Sequence, residues 1–186
     1  MTAPLTTSTL PLGTGGWALD KNHSAVLFVV RHLGLTNVRG RFDRFDATLD
    51  VEADLAHVAV TADIDLSSVD TGNADRDAHL RSTDFFDTEQ HPSMTFRSTE
   101  VTGSGSDYEL TGDLTIAGVT QSVTLDVEFN GTEVFPADQS THAGFSAKGE
   151  IRRSAFGIDF GIVAGAEKLM LGDKIKIELD LQFVAP

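Results

Sequence analysis

The sequence predicts an all-β fold of about eight antiparallel strands with one short helix. Three observations lead there. Apolar and polar residues alternate with a period of two along most of the chain, which in an extended backbone sorts them onto opposite faces. The alternating stretches are short and punctuated by Gly, Pro, Asn and Asp. A segment within 70–87 breaks the alternation and carries helix formers. The pattern is plainest over Tyr108–Phe129. Tyr108, Leu110, Leu114 and Ile116 share one parity, as do Val123, Leu125, Val127 and Phe129 after the break. Thr111, Asp113, Thr115, Thr124, Asp126 and Glu128 take the other face. This reads as a hairpin with one wet and one apolar side, connected through Ala117–Gln121, where Gly118 is free to adopt a positive φ. A lone hairpin is marginal in water, so it requires neighbours that bury the same face.

The other elements are taken in chain order. Residues 1–16, rich in Thr, Pro and Gly, are expected to form a disordered tail, and 17–186 a single domain. Ser24–His32 is a strand of ambiguous phase; the parity of Val26, Phe28, Val30 and His32 is taken as inward because it holds the Phe and leaves Arg31 in water. Phe45, Ala47, Leu49 and Val51 alternate with Arg44, Asp46, Thr48 and Asp50; Val58, Val60, Ala62, Ile64 and Leu66 alternate with Thr61, Asp63, Asp65 and Ser67. Ala74–Arg81 reads as a short helix capped by Asn73 that crosses one end of the sheet, with Phe85 and Phe86 plugging that end. After His91-Pro92 comes Ser93–Val101, with Met94 and Phe96 on one parity. A loop over Val134–His142 succeeds the hairpin. Then Phe145, Ala147, Gly149 and Ile151 alternate with Ser146, Lys148, Glu150 and Arg152. Ile158–Asp173 is punctuated by Gly and accommodates a helical turn around Ala166–Met170. Ile175, Ile177, Leu179, Leu181 and Phe183 close the chain with the cleanest alternation of all.

Two packings bury these faces: a sandwich, or a sheet closed on itself. A barrel of about eight strands is wide enough for its side chains to fill it, or for it to hold one small ligand. The small inward residues Ala47, Ala62, Gly112, Ala147 and Gly149 would make room for one; in a filled barrel they mark taper or bends.

Composition narrows the function. The chain has 186 residues, a formal charge of −14 and a pI near 4.6, with no basic stripe of the kind nucleic-acid binding requires. The overall charge also opposes attraction to an anionic membrane. Twelve Phe against one Trp and one Tyr put aromatic volume inside without polar groups to satisfy. There is no Cys, hence no disulfide, no thiolate nucleophile and no thiolate metal ligand. The start lacks a basic segment followed by an apolar run, and no apolar run nears the roughly 20 residues of a membrane-spanning helix, so a cytoplasmic protein that does not span the membrane is expected.

No catalytic constellation is identifiable. Of the six His, His23 and His32 lie on opposite parities, and no pair has metal-ligand spacing. Asp20, His23 and Ser24 lack a nucleophile-elbow pattern and read as a turn into the strand. Arg76, Arg81 and Arg153, with His32 and His79, are either the polar mouth of a binding site or structural groups that bond loops and helix ends.

Several fragments in order resemble the YceI-like lipid-binding family. They are Trp17-x-x-Asp20-x-x-His23-Ser24, Phe28, His32, Gly40-x-Phe42, Asp70-Thr71, Arg76-Asp77-x-His79-Leu80 and Phe85-Phe86-Asp87, then His91-Pro92-x-x-Thr95-Phe96, Gly112-x-Leu114-Thr115-x-x-Gly118-Val119-Thr120 and Arg153-Ser154-x-Phe156-Gly157. The likeness spans Trp17 to Phe183. It implies a lipocalin-like antiparallel barrel over 17–186, binding a polyisoprenoid, an isoprenoid quinone or another long amphiphile in an apolar tunnel, often as a homodimer. It further implies a carrier or sequestering protein, with an enzyme that acts on such a lipid through a His acid/base as the alternative. No metal or cofactor is expected beyond the bound lipid. Relative to the family pattern, His91 stands where an aromatic residue is usual, and the export signal common in the family is missing.

On this reading the sleeve is built from Val26, Phe28 and Val30, then Phe45, Leu49 and Ile64. Phe85, Phe86, Met94 and Phe96 continue it, and Leu114, Ile116, Phe145 and Phe156 complete it. His32, His79, Arg81 and Arg153 are the candidates to meet the ligand's polar end.

Overall fold

The structure is a computed structural model that describes residues 9–161 and 170–186. The expected turn over 166–169 lies outside them. The described chain forms β1 (Gly15–Leu19), β2 (Ala25–His32), β3 (Thr36–Phe42), β4 (Phe45–Val51), β5 (Ala59–Asp65) and β6 (Val69–Asp70). Helix α1 (Ala74–Arg81) comes next. After it come β7 (Ser93–Ser104), β8 (Asp107–Ile116), β9 (Val119–Val134), β10 (Thr141–Arg152) and β11 (Leu171–Val184).

The sheet closes. Its order runs β1-β4-β5-β7-β8-β9-β10-β11, and β11 returns to β1 through Ala18↔Val184 and Leu19↔Phe183. All pairings are antiparallel. The first strands are broken halves. β1 and β2 are interrupted by a 3₁₀ turn at Lys21–His23, β3 and β4 by a break at Asp43 and Arg44, and β5 and β6 by a second 3₁₀ turn at Leu66–Ser68. β2 continues the wall beside β11 and β3, and β3 pairs with β6. With the halves joined, each strand neighbours the next in sequence around the whole circuit, an up-and-down barrel. Closure decides between the two packings left open above, because a sandwich would leave sheet edges that here are paired.

The alternation maps onto the wall as read. In β8, Tyr108, Gly112, Leu114 and Ile116 are buried, while Asp107, Glu109 and Asp113 are exposed. The β8–β9 turn is tighter than expected: Ile116 pairs with Val119, and Ala117 and Gly118 alone bridge them at φ 48° and 79°. Two positive φ values match the type I′ turn, whose twist suits antiparallel strands. The imidazole of His91 packs against Gly118. On the outer face, cross-strand hydroxyl pairs Thr48–Thr61, Thr111–Thr124 and Thr115–Thr120 lie 2.7–2.8 Å apart.

Two strands shift parity partway. β7 slips register between Ser98 and Glu100, and the β9–β10 ladder slips between Gly144 and Phe145, so that Asn130 has no opposite partner. A bulge adds one residue to one strand and turns the residues beyond it to the other face. This brings Val101 into the barrel alongside Phe96, although the two differ in parity.

Helix α1 spans the residues predicted for it. Asn73 caps it, its Oδ1 accepting from Arg76 N at 3.0 Å. Buried Asp77 accepts from Thr71 N and Thr71 Oγ1 at 2.9 and 2.6 Å, tying the helix to the end of β6. Phe86 packs on Phe42 at 6.0 Å between ring centres, and Phe85 on Phe160 at 4.9 Å, and both Phe85 and Phe86 line the interior at this end.

The barrel also reaches into the segment expected as tail. Gly15 and Gly16 pair with Val51 and Asp50, and Leu10 is buried in the core with Trp17, Leu49 and Phe183. The apolar cluster Leu10-Pro11-Leu12 was the available signal; three residues are too few to show a period.

Candidate ligand-binding cavity

Inward side chains of closed strands must either fill the interior or leave space. Here they form three clusters. One, around Trp17, Leu49, Val51 and Phe183, occupies one end. A second, around Phe42, Ile64, Leu66 and Val69, occupies the end under α1. The third lies along β7–β9 with Phe96, Leu114, Leu125 and Phe156. Between them runs a cavity of about 250 Å³ whose lining draws on all three, from Leu10 to Phe86.

The small inward residues act in two ways. Ala47, Ala62 and Ala147 line the cavity directly. Gly112 and Gly149 do not open space as expected. A Cβ at Gly112 would collide with the ring of Phe96, and one at Gly149 with Leu125 Cδ2. Each glycine is covered by a large neighbour folded flat against the wall, which thins the lining rather than indenting it. Gly40 does the same for Phe28, its direct cross-strand partner.

Fifteen of the residues named from sequence line this cavity: Val26, Phe28, Val30, Phe45, Leu49 and Ile64; Phe85, Phe86, Met94 and Phe96; Leu114, Ile116, Phe145, Arg153 and Phe156. The phase chosen for β2 therefore holds for Val26, Phe28 and Val30. His32, of the same parity, is exposed, because β2 runs past the rim there. His79 also lies outside the lining. Its Nε2 is 2.7 Å from Asp84 Oδ2, and its ring meets Phe85 and Phe160 edge-on. Arg81 is turned away, donating to the carbonyls of Ser67 and Val69. Arg76 donates to Thr71 Oγ1 and Thr71 O. These four groups lie outside the cavity, and the last three bond the fold. For Arg76 and Arg81 the sequence could not separate the readings, since the carbonyls that engage them are invisible to side-chain pattern. Leu10, Val101 and Ile158 were missed as lining: the first sat in the expected tail, the second beyond a bulge, the third in a Gly-rich stretch without period.

The lining is almost wholly apolar. Asp46 contributes to it but sends its carboxylate outward to Lys21 Nζ at 2.7 Å. The Tyr108 hydroxyl donates to Gly105 O at 3.0 Å, and burial pushes its pKa up. Among the described residues, Arg153 is the one guanidinium in the lining, 4% exposed. Its Nε donates to Gly172 O, Nη1 to Ile158 O and Phe160 O, and Nη2 to Leu171 O, at 2.7–3.0 Å. It thus holds 158–160 and 171–172 to the barrel end. Burial lowers its pKa, opposed by Asp173 and Asp159, and a guanidinium stays charged throughout the physiological range. Four of its five N–H donors are used on these carbonyls.

Asp20–Ser24 is a turn, as read. Asp20 Oδ1 accepts from Asn22 N at 3.0 Å, Asp20 Oδ2 lies 2.8 Å from His23 Nδ1, and Ser24 Oγ accepts from Gln182 N rather than meeting His23. The bond from His23 holds the Asp20 carboxyl below the usual range against the opposing pull of burial.

A closed antiparallel barrel with an apolar internal cavity, one helix packed at its end, defines the class: a lipocalin-like β-barrel. The YceI-like domain model matches residues 17–183, and the chain belongs to that family. A UPF0312 protein of Staphylococcus epidermidis is 41% identical over 165 residues, covering 88% of this chain and 94% of its own. Among solved structures, BcnA of Burkholderia cenocepacia superposes with a TM-score of 0.76 at 25% identity, covering 88% of this chain and 98% of its own. A polyisoprenoid binding domain from Saccharophagus degradans shares the fold, with a TM-score of 0.65 at 18% identity over 91% of this chain and 98% of its own.

Proposed function

We propose that the barrel binds one long apolar amphiphile, of polyisoprenoid or isoprenoid-quinone type, and carries or sequesters it without altering it. The observation that carries this reading is the continuous apolar lining shared by three core clusters. Burial of a hydrocarbon chain gains about 0.8 kcal/mol per CH₂, so such a sleeve needs few polar contacts to bind tightly. The description of the S. degradans domain as polyisoprenoid binding supports the ligand class.

The polar end favours a neutral head. Among the described residues four carbonyls engage four of the five N–H donors of Arg153, and the Tyr108 hydroxyl donates to Gly105 O, so few donors remain for a ligand's polar head. A quinone carbonyl or a hydroxyl suits that; a pyrophosphate would bury anionic oxygens without partners. The placement of His32 and His79 outside the lining speaks against the alternative of a His-catalysed conversion of the lipid. A homodimer, implied by the family resemblance, belongs to the same reading and is tested by the solution mass. Organic extraction of purified protein followed by mass spectrometry tests the function. A long isoprenoid-like species is expected; protein that yields none and also refuses added polyprenol and quinone overturns it.

A further inference from the structure

The charge of −14 is unevenly spread, and one end of the barrel stands out. On the outer faces of β10, β11, β2 and β3, exposed Arg152, Lys174, Lys176, Arg31 and Arg39 gather. Register places Lys174 opposite Arg152, and sets Lys176 and Arg39 on either side of Val29. Val29 faces outward yet is 7% exposed, as expected where long basic side chains lay their stems over it. Glu150 sits among these cations. Its carboxyl is held below the usual range by the hydrogen bond from Lys174 first, and by Lys176 and Arg152 beyond it. Arg152 pairs with Asp173 at 3.3 Å and Lys174 with Glu150 at 2.8 Å, and Arg31 spends a donor on neutral Asn37, while Arg39 and Lys176 stand apart from the ion pairs made by the described residues.

Beside this patch the β2–β3 tip, Leu33-Gly34-Leu35, projects apolar side chains into water. Leu35 is 71% exposed, Leu33 43% and Met170 45%. Leu33 N donates to Met170 O at 2.9 Å, so the three are neighbours. Leu33 holds φ 52°, an uphill conformation for a bulky residue. Directly below, Val30 pairs with Ile175 and His32 with Leu171, and Val30, Ile175 and Leu171 line the cavity.

We propose that this end docks on a bilayer carrying anionic headgroups: Leu33, Leu35 and Met170 enter the interface and the surrounding Arg and Lys side chains meet the phosphates. The inference rests on the reading of an internal lipid and names the surface across which that lipid is exchanged. A second copy of the chain fits less well. A two-fold contact sets a patch against itself, and here it would press cations together.

Co-sedimentation with vesicles at low salt tests the proposal. Wild-type protein is expected to bind vesicles of phosphatidylcholine plus phosphatidylglycerol well above phosphatidylcholine alone. Arg39→Gln and Lys176→Gln should each weaken that binding roughly fivefold, and Leu35→Asp roughly tenfold, while extraction of the same variants still yields the lipid. Wild-type protein that ignores both vesicle types overturns the proposal, as does Leu35→Asp binding like wild type or changing only the oligomeric state. The internal-lipid reading stands or falls separately, on what the extraction finds.

Discussion

Phe28 lies across Gly40. The two are direct cross-strand partners on β2 and β3, and a Cβ at position 40 would overlap the far edge of the ring. The glycine lets the ring lie flat along the wall, so that a residue of large volume lines the cavity without crossing it. Gly40→Ala is expected to destabilise by about 1–3 kcal/mol through overpacking, and to lower the amount of extractable lipid. Combining it with Phe28→Leu should recover most of the loss, a non-additivity that urea melts of the single and double variants would read.

Arg153 is the staple of the barrel end. Arg153→Met removes the donors of four carbonyls while keeping side-chain volume, and should cost about 3 kcal/mol or more. Amide exchange should accelerate around 158–160 and 171–172 before it does in β8 and β9. Uniform acceleration would contradict a local role.

Ala117 occupies the first central position of the β8–β9 turn at φ 48°. An alanine is ill suited to the left-handed region, and asparagine is favoured there. Ala117→Asn is expected to raise stability by about 0.5–1 kcal/mol with ligand content unchanged. Thermal melts that show a loss would mean that the turn differs from the one described.

The outer face of β8 and β9 sets like charges opposite each other, Asp107 against Glu128 and Glu109 against Asp126. Such pairs are destabilising. Added salt should therefore raise the melting temperature, and Glu109→Lys should raise it at low salt and flatten the salt dependence.

Asp20 makes part of the stability pH-dependent. Its carboxyl is held low in the folded state by His23, so its contribution is complete above the ordinary carboxylate range and fades as the pH falls through the lowered folded value. Asp20→Asn should lower stability at neutral pH and shrink the acid-side loss, measured by denaturant melts from neutral to acid pH. An unchanged acid limb would remove Asp20 from the account.

Most strands and their inward faces, the α1 helix with its Asn73 cap, and part of the apolar lining could be read from the chain, because each depends on neighbours within a few residues: a period of two, a capping side chain, a run of helix formers; the short β1, β3 and β6, poor in such alternation, could not. Closure depends on Leu19 meeting Phe183, a pairing between opposite ends of the chain that no local pattern encodes. The bulges in β7 and β9 were hidden because one extra residue reverses parity without altering composition. The roles of Arg81, His79 and Arg153 were hidden for another reason. Arg81 and Arg153 bond backbone carbonyls, and His79 meets the Asp84 carboxylate and the distant ring of Phe160, partners that residue type and spacing do not announce. Local periodicity thus determined which residues face inward. The folded barrel alone decided that they surround a space, and which of the polar groups border it.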